Sequence, residues 1–243
     1  MLKFLTTQSV TLSENIFSEK FTGKRILVIG AGPSTKLINW QNIDVDSIVT
    51  TTFFYLNDDV RSLNNISHIT LSELVDFNDH RLHDFLRRNP DCTIALEPKV
   101  GRPFYNTDTF FRFQEQYKDR LIFYNTEIDN LEGAAGRLAF FVMSFLPSEL
   151  FYIGIDGVSP NRNNTPANTF RTNIIDGDNG LHLYDKFVIS HYNMADALYK
   201  YSLQNNCKLY NLGEGFEFNL STSYSKQYFP LTKEVKQKIK KNV

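Results

Sequence analysis

Cysteine is scarce in this chain: Cys92 and Cys207 are the only two in 243 residues, far apart and outside any CxxC or Cys/His spacing. A disulfide framework and a structural zinc site are therefore not expected, and two free thiols suit a reducing compartment. Net charge is nearly absent as well. At −1 the chain has no overall field to gather polyanions, so nucleic acid is not expected as a partner. Long apolar runs are missing too. The most apolar stretch, Leu138 to Leu146, falls well short of the roughly 18 residues of a membrane span. Met1 to Lys24 shows no basic stretch followed by a long apolar run, so no secretory leader is expected and a cytoplasmic location is the default.

What is present is 42% hydrophobic content, which at this length allows a substantial core. The 21 Phe and 12 Tyr favour strands and packed interfaces, and they also supply faces on which bases or sugars stack. Arg25 to Ile29 is a short apolar run ending in glycine, the pattern of a strand buried on both faces. Ser47–Thr52, Cys92–Leu96, Leu121–Tyr124, Leu150–Asp156 and Lys208–Leu212 read as further strands. Helices are expected over Ala134–Phe145, apolar almost all round, and Tyr184–Asn205, apolar at helical spacing. Strands alternating with helices predict an α/β, Rossmann-like fold, a mostly parallel sheet with helices on both faces.

Residues 1–220 are expected to form one nucleotide-binding domain, with a polar stretch at 157–180 long enough to be a lid. Residues 221–243 read as a polar linker and a basic, weakly amphipathic tail. The tail suits either a solvated helix or a contact with a membrane surface.

The strongest local signal is Gly30-Ala31-Gly32-Pro33-Ser34, directly after the first buried strand. Gly30 and Gly32 allow a tight turn and close approach of a ligand, Pro33 fits a first helical position, and the N–H groups there with the Ser34 hydroxyl face a phosphate. A dinucleotide fingerprint would need glycine where Thr35 stands and an acidic residue about 20 positions on, where the chain has Thr50-Thr51-Thr52. A Walker lysine motif is missing. Thr51 and Thr52 instead suit a base or ribose held by neutral hydrogen bonds. Asp156, in Gly154-Ile155-Asp156-Gly157, lies where a strand end meets the long loop, either at the ligand edge or merely capping the turn. His182 and His191 are candidate general bases, because imidazole titrates near neutrality. Tyr152, Tyr184 and Tyr192 are candidate donors to phosphate, though packing explains each equally well. Glu132 to Arg137 offers a second Gly-lined helix start, and Glu214 follows the last strand.

In this order the motifs resemble bacterial sialyltransferases of the Campylobacter and Haemophilus type and the wider lipopolysaccharide-associated group sharing their GxGPS turn. The likeness is carried by Val28–Ser34, Thr51–Tyr55, the small-residue helix from Gly133, Phe151–Asp156, and Ala197–Leu198 through Leu212. It implies a modified GT-A-like glycosyltransferase that builds bacterial surface polysaccharide. It further implies a CMP-activated sugar donor, a glycan or glycolipid acceptor, and transfer without metal or cofactor. A histidine near His191 would be the base, with tyrosines on the leaving phosphate. Ala31 and Thr51 or Thr52 stand where that group has asparagines, and Leu131 and Glu132 where it has an arginine, which bears on the sugar more than on the fold. Archaeal-type pterin pyrophosphokinases also share the GxGPS turn and a strand ending in aspartate. They imply Mg-ATP chemistry with Asp156 as ligand. A non-catalytic nucleotide-binding or polysaccharide-assembly protein is the third reading.

Overall fold

A computed structural model of the protein describes residues 2–4, 16–30, 35, 40, 43–52, 54–56, 63–71, 75–96, 107–126, 134–154 and 202–212. Its strands are β1 (Leu2–Phe4), β2 (Arg25–Ile29), β3 (Ser47–Thr51), β4 (Ile66–Leu71), β5 (Thr93–Leu96), β6 (Leu121–Thr126), β7 (Glu149–Ile153) and β8 (Lys208–Asn211). They form one sheet in the order β1-β6-β5-β4-β3-β2-β7-β8. Every pairing from β6 across to β8 is parallel, and β1 adds an antiparallel edge to β6. Helices α1 (His80–Arg88), α2 (Asp108–Tyr117) and α3 (Ala134–Met143) connect successive parallel strands. The α/β, Rossmann-like expectation is what the chain adopts. Among the described residues no helix is long and apolar enough to cross a membrane.

Parallel strands need crossover connections that cover both faces of the sheet, so their side chains are buried above and below. Ile26, Leu27, Val28 and Ile29 accordingly have no exposed surface. Alternation along the strands sends Leu27, Ile29, Ile48, Ile69, Ile94 and Phe151 into one core, which α1 and α2 close with Leu82, Phe85 and Phe113. Ile26, Val28, Val49, Ala95, Leu150 and Tyr152 enter a second core, closed by Leu138, Phe141 and Val142 of α3 and by Phe17 and Phe21 from the helical residues 16–21.

The strand expectations hold to within a residue or two where they lie on described residues, but β1, β4, α1 and α2 were not foreseen. In sequence α1 shows few apolar residues, and the aromatics of α2 do not stand out in a chain with 21 Phe and 12 Tyr. α1 buries only Leu82, Phe85 and Leu86, and is started by the Asp79 side chain accepting from the Arg81 N–H. α2 buries Phe110, Phe113 and Tyr117 behind a Thr107 cap. Of the expected helix at 184–205, residues 202–204 are helical and Asn205 lies in a turn, while 184–201 lie outside the described residues, as do the stretches 157–180 and 221–243.

β4 was hidden by its polar residues. Its pairing with β3 shifts from Ile48↔Ile66 to Val49↔His68, so Ser67 is a bulge. The bulge lets Ile66 and Ile69 share one core while His68 faces the other, with no exposed surface. The His68 ring stacks on Phe141 with centroids 4.9 Å apart and planes 9° from parallel. Its Nδ1 lies 3.0 Å from the Thr93 hydroxyl and its Nε2 lies 3.2 Å from the Thr70 hydroxyl. The Thr93 hydroxyl donates to the Ser67 carbonyl at 3.1 Å, so it must accept from the ring. His68 therefore carries its proton on Nδ1, and Nε2 accepts from Thr70.

Burial, with Lys20 nearby adding repulsion, holds the His68 imidazole down to about 3. The unfolded chain takes up this proton near the ordinary histidine value while the folded chain does not, so stability is complete above that value and falls as pH drops below it. From pH 6.5 to pH 4.5 this one residue should remove about 2 kcal/mol. Urea unfolding across that range should show the decline in the native protein and a shallower one in His68→Gln. Equal slopes would contradict the assignment.

Candidate nucleotide site at the switch point of the sheet

Chain order along the sheet reverses at β2: β3 lies on one side of it and β7 on the other. In open parallel sheets the crevice beyond the carboxyl ends at such a point is where ligands bind. Registers Ile29↔Thr50 and Ile29↔Ile153 make Gly30, Thr51 and Gly154 the next residues of three adjacent strands, all at one level. Two of these, Gly30 and Thr51, are site residues expected from sequence. Thr52 stands one step further out.

The β2–β7 junction is unusually close. The Gly30 N–H donates to the Ile153 carbonyl at 2.7 Å. Gly154 then takes φ +71°, and a Cβ there would lie 2.6 Å from the Gly30 carbonyl oxygen and 2.7 Å from the Thr35 methyl. Real side chains do not tolerate such contacts, and φ in the left-handed region adds its own penalty. Gly154 thus supplies the space that a dinucleotide fingerprint obtains from a third glycine at the position of Thr35. From sequence Gly154 reads as part of the strand Leu150–Asp156, in the motif where that strand meets the loop. The signal was there, a glycine ending a buried strand, but its partner is distant in sequence.

On the β3 side the Thr50 hydroxyl donates to the Ile29 carbonyl at 3.2 Å, which ties the end of β2 in place. Thr51 is buried and opposite Thr70. Thr52 has φ +21°, rare for a β-branched residue, and is fixed by its N–H donating to the Thr70 carbonyl at 2.7 Å. Its buried hydroxyl has no hydrogen-bond partner among the described residues. An unsatisfied buried hydroxyl typically costs on the order of 1–3 kcal/mol. Backbone strain and an unmet polar atom thus coincide in this one residue at the end of β3.

α3 reaches the same edge. Its far end is pinned to the start of β2, where the Gly23 N–H donates to the Leu146 carbonyl at 3.0 Å and the Thr22 hydroxyl to the Phe145 carbonyl at 2.9 Å. The helix packs across β2, β3 and β4, so its N-terminal end points toward the crevice with the favourable end of its dipole.

Tyr152 is placed differently from the expectation of a phosphate donor. It pairs with Val28, below the level of Gly30, is 1% exposed in the second core, and burial pushes its phenol well above the usual range. Its position is one of packing. Ala31, Gly32, Pro33, Ser34, Asp156, His182, Tyr184, His191, Tyr192 and Glu214 lie outside the described residues. Of the described histidines, His68 is neutral in the core. His83 bridges the Tyr117 hydroxyl at 2.7 Å and the Phe77 carbonyl at 2.9 Å, and His80 is exposed beside Asp79. Cys92 and Cys207 are free and buried, their thiols pushed up to about 12 by burial, so both are inert as nucleophiles.

No family model and no curated protein matches the sequence. Among solved structures the chain is similar to an α-2,3-sialyltransferase from Campylobacter jejuni in apo form, with 15% identity and a TM-score of 0.50, covering 86% of this chain and 79% of that one. The fold is similar to that of a sialyltransferase. A second match is the Campylobacter jejuni sialyltransferase CstII in complex with the substrate analogue CMP-3FNeuAc, with 16% identity, a TM-score of 0.49 and 86% of each chain covered. At these identities the likeness is one of fold.

Gly154→Ala tests the junction. It should lower unfolding free energy by at least about 2 kcal/mol, combining left-handed strain with displacement of the Gly30 carbonyl and Thr35. A urea midpoint close to that of the native protein would show that the strands do not meet as described.

Proposed function

We propose that the protein is a glycosyltransferase that uses a nucleotide-activated sugar, with CMP as the favoured carrier, to build bacterial surface polysaccharide. The observation that carries this reading is the alignment of Gly30, Thr51 and Gly154 at one level of the switch point, where the sequence continues as Gly30-Ala31-Gly32-Pro33-Ser34. Backbone N–H groups at Gly32, Pro33-adjacent Ser34 and the Ser34 hydroxyl would receive the donor phosphate. Thr52 brings a hydroxyl that both donates and accepts, suited to a ribose or phosphate oxygen without a carboxylate. The motif resemblance described above supports the CMP carrier, and the fold shared with an α-2,3-sialyltransferase is consistent with it.

In the proposed reaction an acceptor hydroxyl of a glycan or glycolipid attacks the anomeric carbon. The bond from that carbon to the phosphate oxygen breaks and the nucleotide monophosphate departs. The acceptor proton passes to His191, or to His182 at the end of the stretch 157–180, which would close over the donor. Tyr184 and Tyr192 would donate to the leaving phosphate, and Asp156 would orient the acceptor or the base. The basic residues of 231–241 suit an enzyme working at the inner face of a membrane that bears its acceptor.

Calorimetric titration with CMP tests the reading, and Gly32→Val should abolish the binding by filling the phosphate's place. His191→Ala or His182→Ala should lose turnover by at least about a hundredfold while holding nucleotide nearly as well. EDTA should leave activity unchanged. Failure of CMP to bind, or activity that vanishes with EDTA and returns with Mg²⁺, would overturn the proposal, the latter in favour of a Mg-ATP-dependent transferase.

A further inference from the structure

The buried polar chain on β4 is continuous with the crevice, and nothing in the proposed reaction uses it. Thr70 is the link. Its hydroxyl bonds the His68 Nε2 at 3.2 Å, and its carbonyl accepts the Thr52 N–H at 2.7 Å. His68 in turn is locked from behind. Its Nδ1 donates to Thr93, whose hydroxyl is anchored on the Ser67 carbonyl at 3.1 Å. The Ser67 hydroxyl donates to the Ile48 carbonyl at 3.2 Å and contacts the Ser47 hydroxyl, which fixes the bulge. The ring's faces and edges are fixed as well. Phe141 of α3 stacks on it, and Phe17 meets it edge-on with centroids 5.4 Å apart.

We infer that His68 is a positioning residue for the site: through Thr70 it sets the strained backbone of Thr52, and through Phe141 it seats α3 so that its N-terminal end meets the crevice. Physical cost explains why a histidine stands here. Placing polar atoms in a core is unfavourable unless each is paired, and an apolar side chain at position 68 would fill the same space with no such demand. What imidazole adds is a rigid plane with a directed donor on one side and a directed acceptor on the other. That geometry orients Thr70 by its hydroxyl and α3 by its ring face together. The strand end and the helix end, separate in sequence, are held by one side chain.

For its effect on ligand binding the inference rests on the crevice being a CMP site; its structural part does not. Two readouts separate them: amide hydrogen exchange over residues 50–52 and 138–143, and CMP affinity. Thr70→Val keeps the shape and removes the hydroxyl. It should speed exchange over 50–52 and weaken CMP binding, each by about tenfold, the loss of one buried hydrogen bond to a positioning group. Thr70→Ser should restore both. Leu82→Ala, in the opposite core, should destabilise the fold while changing neither by more than about twofold once global unfolding is subtracted. Should Thr70→Val fail to fold, His68→Gln retains a donor and an acceptor without the ring, and should loosen 138–143 and weaken CMP in the same way. Thr70→Val or His68→Gln behaving like Leu82→Ala in exchange overturns the inference, as does no rescue by Thr70→Ser. A native protein that ignores CMP overturns the functional reading alone, and exchange still decides the positioning.

Discussion

The site depends on how closely β2 and β7 approach at their carboxyl ends. The sheet's order reverses between them, so a crevice must open there, and its floor is set by the contact of Gly30 with Gly154. A side chain at 154 would push the Gly30 carbonyl and Thr35 outward. One missing methyl just after β7 therefore fixes how closely the end of β2 can approach. The rest follows from parallel pairing: Thr51 comes to the same level, Thr52 rises above it, and α3 returns across β2 to β4 with its N-terminal end at the same edge.

The opposite edge of the sheet is held differently. There the strand starts are tied down by charge. Arg25 contacts Glu149 at 3.3 Å and Asp44 at 3.4 Å, its N–H is held by Asp46 at 2.7 Å, and Lys208 adds a weaker contact to Glu149. Arg120 closes the end of α1 by donating to the carbonyls of Leu86, Asn89 and Pro90. Such pairs are partly exposed and individually modest in stability, but they satisfy the groups at that end. Among the described residues at the carboxyl edge the polar groups are hydroxyls and backbone amides, and Thr52 leaves one unmet.

Local composition made part of this legible. β2 carries the apolar run Ile26–Ile29 ending in glycine, the pattern of a strand buried on both faces, so the strand was visible in sequence. β4 was not, because Ser67, His68 and Thr70 look like a polar loop until cross-strand partners account for each hydrogen bond. α1 and α2 escaped notice for the related reason that three buried residues apiece suffice to dock them. Gly30, Thr51 and Thr52 come together at the ends of β2 and β3, because those strands pair in register. A tyrosine near a strand end has two faces to choose from, and alternation sends Tyr152 beneath α3 into the second core. Gly154 required knowing which strand lies beside β2, information that resides in the pairing rather than in either segment.

The most direct measurement of the central claim is a crystal structure of the protein grown with CMP. The account predicts the nucleotide phosphate against the backbone N–H groups of the Gly30–Ser34 turn, within hydrogen-bond distance of the Thr52 hydroxyl, and above the Gly30–Gly154 contact. CMP bound at any other surface, with the β2–β7 crevice free of it, would contradict the account.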